Sequence, residues 1–285
     1  MRPARRPDVR ERAKSWVLSL LLLAVLLFSW HLASLPKSGP ATGMDPEYAK
    51  MMGLDKPKSD GLPTLSQMGA TVRKQLSNPF YDAGSNDKGI GIQLAYSLGR
   101  VGLGFFLAAL VAIPLGFVIG LSPVVHRALN PFIQVLKPIS PLAWMPLALY
   151  TIKDSATSSI FVIFICSVWP MLINTAHGVS SVRREWLNVA RTLEAGTMRT
   201  CFEVILPAAA PVILTGARIS MGIAWLVIVA AEMLVGNLGV GYFVWNEWNN
   251  LSLANVIFAI LVIGVVGMIL DLLFGALQRA VTFVE

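Results

Sequence analysis

Long apolar stretches separated by short polar ones dominate this chain. The first runs from Ser15 to Leu35 around the core LLLLAVLLF. A helix needs about 20 mainly apolar residues to cross a bilayer, and this stretch supplies them. Further stretches follow at Leu94 to Leu121, Leu136 to Ile152, Ile160 to Ala176 with a start near Ser155, Pro207 or Pro211 to Val235, and Leu253 to Leu277. Between the first two, residues 36–91 turn polar and rich in Pro, Gly, Asp and Lys, so this segment does not span lipid. Within it, Leu65 to Leu76 (LSQMGATVRKQL) has the spacing of a short amphipathic helix suited to a membrane surface. The pattern predicts an all-α integral membrane protein with about six transmembrane helices. It divides into a basic N-terminus (1–14), a first helix (15–35), an extracytoplasmic loop with an interfacial helix (36–91) and a core (92–280).

Glycine and proline refine these expectations. Gly99, Gly102, Gly104, Gly116 and Gly120 in the second span let helix backbones approach closely in lipid, and Pro114 is expected to kink it. The third span is short and interrupted by Pro138, Pro141 and Pro146. Broken backbone at membrane depth is tolerated only inside protein or beside a water-filled cavity.

Composition agrees: 55% of the 285 residues are hydrophobic and only 14% charged, against roughly a quarter charged in soluble domains. Cys166 and Cys201 are too few for a disulfide framework or a metal cluster. The net charge of +7 reads as topology. With the N-terminus inside, Arg2, Arg5, Arg6, Arg10, Arg12 and Lys14, then Arg127 and Lys137, then Arg183, Arg184, Arg191 and Arg199, and finally Arg279 all fall on the cytoplasmic side. The outer side holds Lys153 beside Asp154 and the polar Asn237 to Asn250 loop, which has no base. That distribution speaks against a nucleic-acid partner. A signal peptide would share the basic head, but the long apolar run, the lack of an A-x-A site, and Trp30 and His31 at its end favour a retained helix.

One long cytoplasmic loop, residues 179–206, separates the fourth and fifth spans. Glu185 to Leu193 has good helix formers, and Gly196 breaks the pattern before a second helical stretch to Leu206. Leu206-Pro207 then opens the next span, since proline is tolerated in a first helical turn. This loop resembles the EAA loop of ABC-transporter permeases, in which a Glu-Ala-Ala triplet precedes a glycine and an Ile-x-Leu-Pro follows after nine residues. Here Asn188-Val189-Ala190 occupies the triplet, Glu194 stands at the glycine position, and Val204-Ile205-Leu206-Pro207 closes the motif in register. The resemblance implies that Glu185, Asn188, Ala190, Arg191, Glu194, Gly196, Leu206 and Pro207 belong to the coupling with an ATPase.

Two more segments extend the likeness. Tyr96 to Phe105 (YSLGRVGLGF) resembles the opening of the type I permease core in oxyanion and sulfonate importers. Lys137 to Pro146 (KPISPLAWMP), continued by Ser158 to Pro170 and Leu172 to Thr175, is similar to the matching segment of nitrate permeases, and Asn78-Pro79-Phe80-Tyr81 is typical of that branch. The resemblance covers the chain from Ser15 onward. It implies a type I ABC importer permease fold in a bacterial inner membrane. Two copies would form a path for nitrate, and also for nitrite, with two ATP-binding subunits and an extracytoplasmic nitrate-binding protein. Bicarbonate, cyanate and sulfonate importers such as those for taurine share these motifs.

No nucleophile–base pair, phosphate-binding loop or metal-ligand cluster stands out, and His31, His126 and His177 are scattered. The G-x-x-x-x-G-K-[ST] motif is absent, so this chain is expected to bind no cofactor and catalyse nothing, with ATP and magnesium held by partner subunits. Polar groups inside the membrane are expensive and functional by default. Arg100, Lys137, Ser140, Trp144 and Asn174 are therefore candidates for the anion path, although Arg100 also suits a helix–helix pair with Glu232. Arg218 and Glu232 lie roughly 21 Å apart along one helix, so each needs a partner elsewhere. Trp245, Glu247 and Trp248 in the last outer loop are candidates for docking a binding protein. A channel or secondary transporter is the rival class. It would show paired broken helices, and only one broken segment is visible.

Overall fold

The computed structural model describes residues 9–35, 62–84, 87–236 and 238–281, with side chains from Lys14 onward. Arg2, Arg5 and Arg6, the whole 36–61 stretch and Asn237 lie outside the described residues. The described chain forms eleven α-helices: α1 (Val9–Ala33), α2 (Leu65–Ser77), α3 (Ile90–Leu121), α4 (Pro123–Leu136), α5 (Pro141–Ile152), α6 (Ser155–Ser180), α7 (Arg184–Thr192), α8 (Thr197–Thr200), α9 (Leu206–Val235), α10 (Val240–Asn249) and α11 (Leu253–Val281). Five segments are long and apolar enough to cross a membrane, and the α4–α5 pair, bent by 91°, makes a sixth.

The core is a packed trio of α3, α6 and α9, flanked by α5, α10 and α11. Small residues bring the trio together. A Cβ added at Gly104 would lie 2.7 Å from Ile163 Cγ2, and one at Gly116 would lie 2.6 Å from Thr175 Cβ, so α3 and α6 meet almost backbone to backbone. Gly216 of α9 faces Asn174 of α6 in the same way. Gly99 and Gly102, expected to act alike, face open space instead. They lie five and two residues before Gly104, about 140° and 160° around the helix from it, on the exposed side. α3 runs on as a helix through Pro114.

The third span is broken, as its prolines indicate, and the break lies near its start: α4 and α5 meet at a near right angle around Lys137 to Ser140. α5 alone covers only about 18 Å, too little for the hydrocarbon core. Pro138 and Pro141 deny the corner the backbone donors that a continuous helix needs. The fifth span also starts earlier than expected. Thr197 to Val235 is continuous, and Leu206-Pro207 lies inside it. A π-helical turn at Cys201–Ile205 precedes the proline, with the Leu206 N–H bonding Cys201 O. That wider turn accommodates a ring that would otherwise press on the carbonyl four residues back.

Outside the trio, α1 has no buried residue between Lys14 and Ala33. It touches the remainder through Trp30, whose Nε1 donates to Pro63 O at 2.9 Å. The expected amphipathic helix exists as α2, started by a reciprocal capping box between Thr64 and Gln67. It is tied to α11 by Gln75 Nε2 donating to Asn255 Oδ1 at 3.3 Å. The segment 237–250, read as a loop, holds the helix α10, with Val240, Gly241, Phe243 and Val244 buried.

Candidate functional site: the coupling loop and the polar groups of the core

The loop between α6 and α9 takes the form of a short exposed helix on a buried apolar base. In α7 the apolar side chains alternate in purpose. Leu187 packs on a cluster of Val179, Ile205, Ala209 and Ile213, and Ala190 is buried. Trp186, Val189 and Leu193 project outward, Leu193 being 75% exposed, and Met198 and Phe202 continue the apolar surface beyond the bend. Arg183 stacks over the Trp186 ring at 5.6 Å. Polar Glu185, Asn188 and Arg191 are exposed beside them, with Gly196 at the start of α8.

Glu194 has φ of +51°. It stands where the EAA pattern has glycine, and left-handed backbone is the reason glycine suits that position. Ala195 N bonds Ala190 O and Glu194 N bonds Arg191 O, closing the end of α7 around this residue. The loop's anchor, Ile205, belongs to the same cluster as Ile113 and Phe117 of α3. Through Leu187 and Ile205 the loop is therefore packed on one cluster with α3, α6 and α9.

At the outer end of the core lies a buried polar knot. Arg100 Nη1 donates to Glu232 Oε1 at 2.8 Å and to Leu238 O at 2.6 Å. Ser97 Oγ lies 2.9 and 2.8 Å from the two Glu232 oxygens and accepts from Val240 N. Gly241 N donates to Glu232 Oε2 at 3.0 Å. Glu232 is wholly buried and Arg100 is 8% exposed. A Cβ on Gly239, at φ +156°, would collide with the Glu232 carboxylate, so glycine lets the chain cross it. The pairing of Arg100 with Glu232 weighed in the sequence is thus present, and it ties α3, α9 and α10. A shallow recess of about 400 Å³ over α3, lined by Ala95, Tyr96, Gly99, Leu103 and Ile160, has Arg100 at its edge.

The other path candidates are dispersed. Lys137 ends α4 and Ser140 begins α5, both exposed at the corner of the broken span. Trp144 is half-buried against the main core. Asn174 Nδ2 bonds Pro170 O within its own helix at 2.8 Å.

Among the outer residues, Trp245 and Trp248 form an exposed tilted pair, 5.0 Å between centroids. Glu247 faces inward instead, accepting from Asn255 Nδ2 at 2.7 Å and so linking α10, α11 and α2.

Sequence reading passed over Asp271. It pairs with Arg218 across α11 and α9, Nε to Oδ1 and Nη2 to Oδ2 both at 2.6 Å. A lone acid in a 29-residue apolar helix was the available signal.

The broken span, the close-packed trio and the exposed loop helix define a multi-pass membrane permease. A family model described as "Binding-protein-dependent transport system inner membrane component" matches residues 112–283, and the chain belongs to that family. It is 42% identical over 228 residues to the nitrate import permease protein NrtB of Synechocystis sp., covering 80% of this chain and 83% of that protein. It is 42% identical over 211 residues to the bicarbonate transport system permease protein CmpB of the same organism, covering 74% and 75%. The taurine transport system permease protein TauC of Escherichia coli is 38% identical over 189 residues, covering 66% and 69%. The fold is similar to that of the MetNI methionine ABC transporter in an inward-facing conformation, with a TM-score of 0.60, 14% identity, and coverage of 66% of this chain and 94% of that one. The chain is the permease subunit of an ABC importer, a family that works with ATP-binding subunits and a substrate-binding protein.

Proposed function

We propose that this subunit carries nitrate, and also nitrite, inward through the membrane as a homodimer. The observation that carries the cargo is the likeness to NrtB over 228 residues, against 211 for CmpB at the same identity. In this reading the chain itself catalyses nothing and binds no cofactor, and ATP and magnesium sit in two partner subunits. The apolar knob of Trp186, Val189 and Leu193 enters a groove on each ATP-binding subunit, with Glu185, Asn188 and Arg191 around it. The exposure and composition of this knob support such a seat, since exposed aromatic anchors dominate interface energies.

Closure of the ATP-binding subunits pulls α7, and the cluster around Ile205 passes the displacement into the core, which alternates between outward and inward access. The two states must differ in binding free energy, and ATP and the delivered anion supply that difference. Trp245 and Trp248 form the seat of the nitrate-binding protein. Lys137 and Ser140 at the corner of the broken span, with Trp144 and Asn174, line the path. Arg100 acts with Glu232 as a clamp on its outer end.

The test is ATP hydrolysis by the reconstituted importer with its binding protein, offered nitrate, nitrite, bicarbonate, cyanate or taurine in turn. Stimulation by nitrate supports the reading. Stimulation by bicarbonate alone would assign the chain to the CmpB-like cargo, the second reading that the 42% identity favours.

A further inference from the structure

Arg218 lies 12 residues from the start of α9 and Asp271 10 residues from the end of α11. These offsets are about 18 and 15 Å along helices that cross a core about 30 Å thick. The helices, 30 and 29 residues long, overhang that core by about 7 Å at each end when centred on it. The ion pair therefore lies about 8–10 Å inside the inner boundary of the hydrocarbon, yet its side chains are 39% and 53% exposed. Exposed charges are not sustained in hydrocarbon; they face protein or water-filled space. Towards the cytoplasm the seam stays polar, with Gln278 Nε2 donating to Thr215 Oγ1 at 2.8 Å. Gly275 leaves room behind the guanidinium, 3.5 Å from where its Cβ would be. The result is a hydrophilic strip leading from the inner half of the membrane to the inner face along two otherwise apolar helices.

We propose that this strip lines the aqueous path, and that Arg218 is its anion-coordinating residue, occupied between transport events by the Asp271 carboxylate that the anion displaces. The inference rests on the reading of the chain as an importer of a small planar oxyanion. A carboxylate offers the guanidinium fork two coplanar oxygens. Nitrate and bicarbonate, both planar, present the same edge, whereas a sulfonate is pyramidal. Exchange against a resident carboxylate also keeps the well shallow, because the returning Asp271 expels the anion, and a path must release what it binds. Arg100 has no such freedom, being buried and tied to Glu232 and Leu238.

The complete importer, with its ATP-binding subunits and binding protein, is reconstituted in vesicles and nitrate uptake is measured. Wild-type uptake tests the cargo by itself. Should the wild type carry bicarbonate and not nitrate, the same variants are measured with bicarbonate, so failure of the cargo reading is distinct from failure of this one. Arg218→Gln is expected to assemble and to lose uptake at least about tenfold. Asp271→Asn is expected to transport with a lower KM, because competition for the guanidinium is relieved. Exchanging the two residues (Arg218→Asp with Asp271→Arg) rebuilds the pair on opposite helices and is expected not to restore uptake. Restoration by the exchange, or near wild-type uptake by assembled Arg218→Gln, would show a purely structural pair and overturn the proposal. Thr215→Cys, in a background with Cys166 and Cys201 replaced by alanine, keeps the pair intact should the other variants fail to assemble. Labelling by a small charged thiol reagent, slowed by nitrate, supports the proposal; no labelling, or labelling indifferent to nitrate, overturns it.

Discussion

Arg100 on α3 and Glu232 on α9 are joined at 2.8 Å in the interior of the outer half of the core, where Glu232 has no solvent exposure at all. Three more donors reach the same carboxylate or its serine neighbour, so the charge that α9 carries is met from α3 and α10 together. Breaking such a pair by removing one member leaves an uncompensated buried charge. Arg100→Ala is expected to destabilise the subunit by about 3–5 kcal/mol. Arg100→Ala combined with Glu232→Gln should lose less than the sum of the two singles. Thermal unfolding of the detergent-solubilised subunit through the full cycle measures this, and strict additivity would show that the two residues do not interact.

Glu194 holds left-handed backbone at the end of α7, a conformation that costs a non-glycine residue roughly 1–2 kcal/mol. Glu194→Gly should therefore raise the stability of the loop by about 1 kcal/mol, less the extra chain entropy that glycine brings. Glu194→Val should lower it, because a β-branched side chain tolerates that region worst. Hydrogen exchange across residues 184–200 reads both effects; protection unchanged in the valine variant would contradict the assignment.

The exposed face of α7 yields a binding prediction. Trp186→Ala is expected to weaken capture of the ATP-binding subunit by about 2 kcal/mol, roughly thirty-fold. Leu193→Ala should act in the same direction, and Leu187→Ala should lower stability instead, since Leu187 packs inward. Co-purification across a concentration series separates the two classes. Equal retention of the partner by Trp186→Ala and wild type would remove α7 from the interface.

Gly116 and Gly102 lie on the same helix and predict opposite outcomes. Gly116→Val drives a side chain into Thr175 and Leu172 of α6 and should abolish recovery of folded subunit. Gly102→Ala meets nothing within 4 Å and should be neutral or stabilising by about 0.5–1 kcal/mol, as alanine in a helix interior is. Recovery of monodisperse protein in detergent distinguishes them.

Asp154 caps α6, accepting from the Thr157 hydroxyl at 2.6 Å and from its backbone N–H at 2.7 Å. The Thr157 hydroxyl, then the backbone bond, holds the Asp154 carboxyl below the usual carboxylate range. A depressed folded-state pKa gives stability that is complete above the unfolded value and fades as pH falls through the folded one. Fraying of the first turn of α6 should thus increase in acid in the wild type. Asp154→Asn should show no such pH dependence there, which hydrogen exchange at Ser155 to Ser159 can follow.

Much of this was legible along the chain because a bilayer imposes simple demands. Stretches such as Leu253 to Leu277 or Ser15 to Leu35 must be helical, since no other open backbone satisfies its own hydrogen bonds in hydrocarbon. The 3.6-residue spacing of α2 and the run of helix formers in α7 were equally visible, as was the register of Glu194 with Pro207. The corner at Lys137 to Ser140 was marked by its prolines, but its angle was not, because proline removes a donor without prescribing where the next helix goes.

The order of helices and the helical content of the loop before α9 were thus legible in the sequence, since each depends on neighbours within a turn or two. Tertiary structure decided which residues meet. Ser97 with Glu232 and Arg218 with Asp271 are 135 and 53 residues apart in sequence, and no local periodicity relates them. Their pairing follows from the close approach of glycine-faced helices, which sets rotation and depth to within a side chain. In an interior where solvent cannot satisfy a charge, that rotation determines whether an arginine is a clamp, as at position 100, or stands half-exposed, as at 218.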